Sequence, residues 1–244
     1  MDGYRPVRWG TKAHGTHCRE GEVGHNVFLE GPMGDTLGSP TISTKLQRIA
    51  NQAEDYPDLV FNNLYHLLDY DFLAEAYRRT RKDSAPGVDR VTAKQYAANL
   101  EINLRDLHDR LRNHRYKAPP VERVWIDKEG GKKRPIGKPS FEDKIVQRAC
   151  AMLLSPIYDH DFYDFSHGFR AGHSQHGALR ELERNCWGMN INWVVDADVS
   201  GFFDNLDHRI LREFIQKRVN DGGIKRLVGK WLNAGVVEKG QWTR

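Results

Sequence analysis

The feature that most constrains the fold is a short apolar run that ends in acidic residues and a glycine turn. The run Trp193-Val194-Val195 leads into Asp196-Ala197-Asp198, and Ser200-Gly201-Phe202-Phe203 follows at once. Such a run is typical of a buried β-strand that carries a carboxylate at its C-terminal end. Because side chains alternate along a strand, Asp196 and Asp198 would share one face, with Asp198 nearer the turn. The pattern therefore predicts a strand that presents Asp198; a carboxylate that only caps the turn is the alternative.

Apolar residues at helical spacing recur along most of the chain from Thr41 onward. Their spacing predicts helices over residues 43–53, 59–68, 71–79, 92–112, 140–153, 174–182, 207–219 and 224–232. Thr92 and Ser174 are expected to cap two of these helices, and Ser140 or the preceding Pro139 is expected to open a third. Alternating side chains at 121–126, a turn at 127–131 and a basic return segment predict a β-hairpin. Helices thus dominate and the few strands fall in the second half, so the expected fold class is α+β.

Residues 1–40 differ in character from the rest of the chain. They are rich in Gly, His, Thr and Pro and show neither helical nor strand periodicity. We therefore predict a disordered leader. Four potential metal ligands lie in it, but their spacing matches no zinc-binding pattern, which makes metal ligation the less favoured alternative. These residues are His14, His17, Cys18 and His25.

Cysteine usage and hydropathy indicate the cellular compartment. The three cysteines, Cys18, Cys150 and Cys186, are odd in number and widely spaced, so they provide no disulfide framework. No apolar segment approaches the roughly 18 residues of a membrane span, and the N-terminus lacks the pattern of a signal peptide. The expectation is a cytoplasmic protein without a membrane partner.

Positive charge is concentrated around the predicted hairpin. Between residues 112 and 138, nine Lys and Arg stand against three acidic residues, whereas the whole chain has a formal net charge of +4. A local excess of this kind favours a polyanion such as nucleic acid or a nucleoside triphosphate. A solvated hairpin face is the alternative.

Two cations of this segment are candidates for triphosphate binding. Lys128 and Arg134 lie on either side of the turn, so in a tight hairpin they project toward one region. Backbone N–H groups of Ser200-Gly201-Phe202 are a second expected phosphate contact. Phe203 would then lie beneath the sugar, where a bulky ring excludes a 2′-hydroxyl. Taken singly, these features also fit solubilising cations and a core phenylalanine.

Asp198 is a candidate ligand for a divalent metal. Phosphoryl transfer to a growing strand uses two ions about 3.5–4 Å apart, held by carboxylates that converge from separate strands. Oxygen ligands of this type suit Mg²⁺.

Five sequence motifs occur in order between residue 41 and residue 244. They lie at residues 44–50, 85–89 (Ala-Pro-Gly-Val-Asp), 133–139 (Lys-Arg-Pro-Ile-Gly-Lys-Pro), 166–174 and 198–208. In content and order they resemble the N-terminal half of the bacterial group II intron-encoded reverse transcriptases, which also act as maturases. Small departures are Arg90 where the family commonly has Gly, and Ala171 and His173 where Pro and Arg are frequent.

The resemblance implies a fold, an activity and partners. It implies a right-hand polymerase-like architecture, with a helical N-terminal extension at 41–115 and fingers plus a partial palm at 116–244. The implied activity is RNA-directed DNA synthesis with Mg²⁺ and dNTP, on an RNA template with a DNA primer. Group II intron RNA is the implied partner.

The resemblance also implies roles for single residues. Asp198 and the Val199 carbonyl would hold catalytic metal, and Lys128 and Arg134 would contact the triphosphate. The residues expected near template or other nucleic acid are Arg170, Lys132, Lys133 and Arg115.

One difference from the family pattern is large. The family's palm continues with a Thr-Pro-Gln-Gly block and a Tyr-Ala-Asp-Asp turn, and neither occurs in these 244 residues. We therefore expect a truncated chain with an incomplete two-metal site and no synthesis on its own. The alternatives are an inactive remnant that binds RNA, or one half of a split enzyme with a complementing C-terminal polypeptide.

Overall fold

The structure, a computed structural model, describes residues 41–127, 131, 133–203 and 205–243. The predicted leader, residues 1–40, lies outside the described residues. Within the described part, the helices in chain order are α1 (Ile42–Asp55), α2 (Tyr70–Arg79), α3 (Ala93–Ala97), α4 (Leu100–Arg112), α5 (Phe141–Tyr158), α6 (Gln175–Gly188), α7 (His208–Gln216) and α8 (Gly222–Leu232). Short 3-10 turns occur at Tyr65–Leu67 and Asp159–Asp161.

A small mixed sheet combines two hairpins. Its strands are β1 (Val121–Asp127), β2 (Lys133–Lys138), β3 (Val236–Glu238) and β4 (Gln241–Thr243), in the order β2-β1-β3-β4. β1 pairs antiparallel with β2, which confirms the predicted hairpin, and β3 pairs antiparallel with β4. The second hairpin joins the first through a parallel pairing of β3 with β1. Helices with a small mixed sheet agree with the α+β class.

Helix α5 lies at the centre of the hydrophobic core. Apolar spacing gives it buried side chains on most of its circumference, from Phe141 to Ile157, as expected for a helix covered on several sides. It packs against α1, α2 and α3. The core also includes Leu111 and Tyr116, so it runs across the boundary expected at residue 115. The division into 41–115 and 116–244 stays a prediction.

Side-chain caps fix where the helices begin. An N-cap oxygen satisfies a backbone N–H that has no partner within the helix. The caps predicted at Thr92 and Ser174 are confirmed, and of the two residues predicted to open the helix at 140–153 the cap is Ser140. Thr92 also forms a reciprocal capping box with Gln95. The other capping side chains are Thr41, Asp69, Asp207 and Asp221.

Two of the predicted helices are corrected by the structure. Residues 59–68 form only a 3-10 turn at Tyr65–Leu67, because Phe61 instead exchanges backbone hydrogen bonds with the segment at Val219. The helix expected over 92–112 is divided into α3 and α4, where Asn99 leaves the helical conformation. In both cases local periodicity is correct for the apolar residues, but tertiary contacts and a break at Asn99 shorten the helices.

The strand predicted before Asp198 is wrong. Residues 191–199 have no regular secondary structure, and the side chains of Trp193 and Val195 are 89% and 90% exposed. A strand is stable only when a neighbouring strand takes up its backbone N–H and C=O groups. Within the described residues the pairing partners belong to the sheet of β1 to β4 and to the bridge at Phe61. The apolar run therefore lies open to solvent.

The glycine of the Ala-Pro-Gly-Val-Asp motif is explained by a close backbone approach. A Cβ on Gly87 would lie 2.4 Å from the Ser140 nitrogen and 2.5 Å from the Pro139 carbonyl carbon. Only glycine lets the loop lie against the start of α5 at this distance. Arg90, where the family commonly has Gly, has a φ of 58°, so the position favours glycine for conformational reasons.

Asp143 joins three segments inside the core. It is 1% exposed, and its carboxylate accepts hydrogen bonds from Tyr116 Oη, from Trp231 Nε1 at 2.8 Å and from Gln147 Nε2 at 2.7 Å. Burial raises the pKa of Asp143, and these hydrogen bonds oppose the shift. Burial also raises the pKa of Tyr116, with the nearby Asp143 charge as the second cause.

The substitution Asp143→Ala should lower the free energy of unfolding by about 3 kcal/mol, because it leaves several donors without an acceptor. Urea unfolding followed by circular dichroism measures this change. Asp106→Ala is the matched control, since Asp106 is 63% exposed and pairs with Arg110 on the same helix; it should stay within about 0.5 kcal/mol. Equal losses in the two variants would contradict a buried anchoring role.

Among the described residues, no helix is both long enough and apolar enough to cross a bilayer. Cys150 is buried and Cys186 is partly buried, and both are free thiols.

Candidate functional site

The cations of the basic hairpin differ between its two ends: those far from the turn form ion pairs, and those near the turn are exposed. Near the base, Glu122 receives Lys138 and Arg90, each at 3.0 Å. The hydrogen bond from Lys138, together with the Arg90 charge, holds the pKa of Glu122 below its usual value. Toward the turn, Lys133 lies opposite Asp127 and Arg134 lies opposite Ile126.

The described cations near the turn are exposed. Lys133 and Arg134 form no ion pair within the described part of the chain. Lys128 and Lys132 lie outside the described residues. Among the described residues, Lys133 and Arg134 are therefore available to an approaching anion, whereas Lys138 and Arg90 already pair with Glu122.

The segment around Asp198 is fully accessible. Asp196, Asp198 and Val199 are all exposed, on the irregular stretch that replaces the expected strand. The turn that follows has Gly201 at a φ of 61°, and Asn205 donates to the Gly201 carbonyl from its backbone N at 3.1 Å and its Nδ2 at 2.9 Å. This glycine conformation shapes the turn.

Phe202 and Phe203 are a pair of exposed rings beside this turn. Their ring centroids are 5.4 Å apart in an edge-to-face arrangement, and Phe203 is 80% exposed. The structure thus disagrees with the alternative that Phe203 is a core residue. Its ring is available to a ligand, as is the Ser200-Gly201-Phe202 backbone on the exposed turn.

The described residues do not assemble a two-metal centre. The Asp198 carboxylate and the Val199 carbonyl are oxygen donors of the kind that Mg²⁺ prefers. However, no group of three or more His, Cys, Asp or Glu side chains converges within the described ranges. A two-ion site needs carboxylates from more than one segment, so Asp198 and the Val199 carbonyl by themselves would not hold both ions.

Arg170 and Arg115 already have partners within the protein. The Arg170 side chain is 9% exposed and donates to Asp159 Oδ1 at 2.9 Å and to the carbonyls of Tyr163 and Ser166 at 3.0 Å. Its guanidinium also lies over the Phe162 ring. Arg115 pairs with Asp109. Arg170 therefore organises the loop between α5 and α6 in this structure.

A second group of cations, on α4, α7 and α8, was not predicted from the sequence. Arg226 and Lys230 are four residues apart, and this spacing places them on one face of a helix. The spacing of Arg226 and Lys230 can be read from the sequence. Arg112 of α4 lies more than 100 residues earlier in the chain, so its position beside α8 cannot.

Comparison with known proteins adds independent information. Residues 126–242 match the family model described as reverse transcriptase (RNA-dependent DNA polymerase). The protein YkfC of Escherichia coli K12 is 35% identical over 206 residues, which cover 82% of this chain and 54% of YkfC. The group II intron-encoded protein LtrA of Lactococcus lactis is 35% identical over 205 residues, which cover 83% of this chain and 34% of LtrA.

The chain is also similar to an intron maturase of a plant. The mitochondrial protein named nuclear intron maturase 1 of Arabidopsis thaliana is 29% identical over 124 residues, which cover 47% of this chain and 17% of that protein. The chain thus spans about half of YkfC and about a third of LtrA. The matched region includes the hairpin strand β2, the Asp198 segment and α8.

Proposed function

Because the chain belongs to the reverse transcriptase family of group II intron-encoded proteins, we propose that it binds RNA and dNTP as part of an RNA-directed DNA polymerase. The observation that carries this proposal is that Lys133 and Arg134, on strand β2 within the matched region, are exposed and form no ion pair among the described residues. Group II intron RNA is the proposed partner, with an RNA template and a DNA primer as substrates. Residues 116–244 would form fingers and part of a palm, and cytoplasmic location stays a prediction.

The proposed nucleotide contacts follow from charge and exposure. Arg134 and Lys128 bind the triphosphate, because a guanidinium and an ammonium both pair with phosphate oxygens. Backbone N–H groups at Ser200-Gly201-Phe202 take further phosphate charge. The exposed Phe203 ring packs against the sugar.

The proposed metal and nucleic-acid contacts involve groups from several separate segments. Asp198 and the Val199 carbonyl contribute to Mg²⁺ binding when further carboxylates are supplied from outside the described residues. Lys133 and Lys132 contact nucleic-acid phosphates near the hairpin turn, and Arg170 and Arg115 are further proposed contacts with nucleic acid.

RNA binding without DNA synthesis is the second candidate function. It is favoured by the observation that no cluster of three metal-binding side chains occurs among the described residues. Such a protein would retain the exposed cations of the hairpin, since phosphate binding needs only positive charge in the right place.

The variant Lys133→Gln/Arg134→Gln tests nucleic-acid binding by the hairpin. We expect its affinity for a fluorescent single-stranded RNA to fall. Its dependence on salt should flatten by about 0.7 in logarithmic slope for each cation–phosphate pair that the substitutions eliminate. Fluorescence anisotropy across a KCl series measures both quantities.

The matched control is Lys94→Gln/Arg105→Gln, which removes the same charge from α3 and α4. Both control side chains are exposed and belong to helices α3 and α4, not to the hairpin strands. If the control variant weakens RNA binding as much as the hairpin variant does, only net charge matters and the hairpin is not a binding site.

A further inference from the structure

A surface groove brings together segments that are distant in sequence. One cavity of about 610 Å³ lies between the turn at Tyr65–Leu67, the C-terminal half of α4 and the start of α8. A second cavity of about 590 Å³ continues between α7 and α8. Both are lined by Gly222 and Arg226, so they form one continuous feature, here called the α8 groove.

Among the charged and ionisable side chains that line the α8 groove, Lys, Arg and His greatly outnumber acidic residues. Five Lys and Arg line it: Arg112, Arg212, Lys225, Arg226 and Lys230. Three histidines line the first cavity: His66, His108 and His114. Asp221 is the one acidic residue among the lining residues. The groove therefore presents a concentrated positive potential at its surface.

The single acidic group is already satisfied from within. Asp221 is 4% exposed; one carboxylate oxygen accepts from the backbone N–H of Leu64 and Tyr65, and the other from Gly223 and Ile224. Burial raises the pKa of Asp221, but these four hydrogen bonds outweigh it and the net shift is downward. Asp221 thus holds α8 against the 3-10 turn, and its single negative charge still leaves the five Lys and Arg of the groove in excess.

The arginines of the groove have no acidic partner. Arg112, Arg212 and Arg226 form no ion pair within the part of the chain that the structure describes, whereas most other arginines on α2, α4 and α7 do. Arg112 and Arg226 are also exposed. Their guanidinium groups are therefore free to bind an anion bidentately.

The two lysines of the groove are oriented by neutral acceptors. Lys225 donates to Asn220 Oδ1 at 2.5 Å, and Lys230 donates to the carbonyls of Tyr116 and His114. Burial lowers the pKa of Lys230, and the nearby Arg226 charge lowers it further. Like charges are thus held close together, and Asp221 is the one acidic lining residue in the described part of the chain. This excess of positive charge favours the binding of an external anion.

We propose that the α8 groove binds the phosphate backbone of RNA, as a second RNA surface separate from the β1–β2 hairpin. A chain of phosphates fits better than a single phosphate ion, because the α8 cations from Lys225 to Lys230 span about 7.5 Å at a rise of 1.5 Å per residue. Arg112 on α4 and Arg212 on α7 extend the positive lining beyond α8. Contacts to phosphate carry no base-sequence information, so we expect binding at the groove to be independent of base sequence. The inference rests on the proposed RNA-binding function and deepens it.

The double variant Arg112→Gln/Arg226→Gln tests the groove. We expect its affinity for a fluorescent single-stranded RNA of about 20 nucleotides to fall roughly tenfold or more, and the logarithmic salt slope to shrink by about 1.4 for two eliminated cation–phosphate pairs. The matched control is Arg105→Gln/Arg209→Gln, which removes the same charge from the exposed, ion-paired faces of α4 and α7. Circular dichroism and thermal unfolding verify that each variant is folded.

Two further measurements keep the test decisive. The charge-preserving variant Arg112→Lys/Arg226→Lys should keep the wild-type salt slope, and inorganic triphosphate should compete with RNA only weakly. Equal RNA affinity and slope in the groove and control variants would overturn the proposal. So would a groove variant that loses triphosphate binding but keeps RNA binding, since the groove would then serve free phosphates.

The hairpin variant Lys133→Gln/Arg134→Gln separates failure of this inference from failure of the proposed function. If the hairpin variant weakens RNA binding and the groove variant does not, the proposed function stands and the α8 groove is rejected. If wild-type protein shows no salt-dependent RNA binding at all, the proposed RNA-binding function itself is rejected.

Discussion

We expect no primer extension when the 244-residue chain is incubated alone with an RNA template, a DNA primer, dNTP and Mg²⁺. The described residues bring no three carboxylate or imidazole groups together, and Asp198 lies on an exposed, irregular segment. Two-ion catalysis stabilises the attacking and leaving oxygens only when several carboxylates hold both ions. Extension of a labelled primer, resolved on a denaturing gel, measures the result.

A complementation experiment tests whether primer extension can be restored. A second polypeptide that carries the family's Tyr-Ala-Asp-Asp block should restore extension when it is mixed with the wild-type chain. It should not do so with Asp198→Asn, for which we expect a loss of at least about a thousandfold, because several kcal/mol of metal-based stabilisation depend on this ligand.

Asp196→Asn is the matched control for Asp198→Asn. Asp196 is also exposed and lies two residues earlier on the same segment, and the substitution removes the same charge. Extension by the chain alone that disappears in Asp198→Asn would overturn the expectation of inactivity. Equal loss in the Asp196→Asn and Asp198→Asn mixtures would contradict the choice of Asp198 as the metal ligand.

The substitution Arg218→Met should lower the free energy of unfolding by about 3 kcal/mol. The Arg218 side chain is 9% exposed and donates to Asp161 Oδ2 at 3.0 Å, to the Leu59 carbonyl at 2.9 Å and to the carbonyls of Pro57 and Ala53. Removing the guanidinium leaves these acceptors without their donor. Asp161 is partly exposed and can be hydrated, which keeps the loss at the lower end of the range for buried pairs.

Urea unfolding followed by circular dichroism measures the effect of Arg218→Met. The matched control is Arg209→Met on α7, whose side chain is 77% exposed and whose pairing distance to Glu213 is 3.8 Å; its effect should stay within about 0.5 kcal/mol. The loss of unfolding free energy in Arg218→Lys should lie between those of Arg218→Met and Arg209→Met, because one ammonium cannot replace a guanidinium that donates to four acceptors. A loss no larger than that of the control would show that Arg218 does not anchor the fold.

Sequence patterns correctly predicted the structural features that depend on residues close together in the chain. The N-caps at Thr92, Ser140 and Ser174 each depend on one side chain and a backbone N–H a few residues away, so they can be predicted from neighbouring residues. The β1–β2 hairpin depends on alternation and a glycine-containing turn. The five ordered motifs indicated the family, and the match over residues 126–242 supports the same family.

Sequence signals failed where a distant partner decides the outcome. The run before Asp198 has the composition of a buried strand, but a strand forms only when a second strand satisfies its backbone, and residues 191–199 have no such partner among the described residues. The helix predicted at 59–68 is wrong because a distant pairing partner is present. There, a partner at Val219 takes the backbone hydrogen bonds that a helix would need.

The sequence by itself determined the helical caps, the basic hairpin and the family, because each is written in the order and spacing of nearby residues. Only the tertiary structure decided that Asp143 and Arg218 are buried anchors, that the Asp198 segment is exposed, and that cations of α4, α7 and α8 line one groove. These features depend on contacts between segments 50 to 160 residues apart. Chain folding, and not local propensity, fixes which of those segments meet.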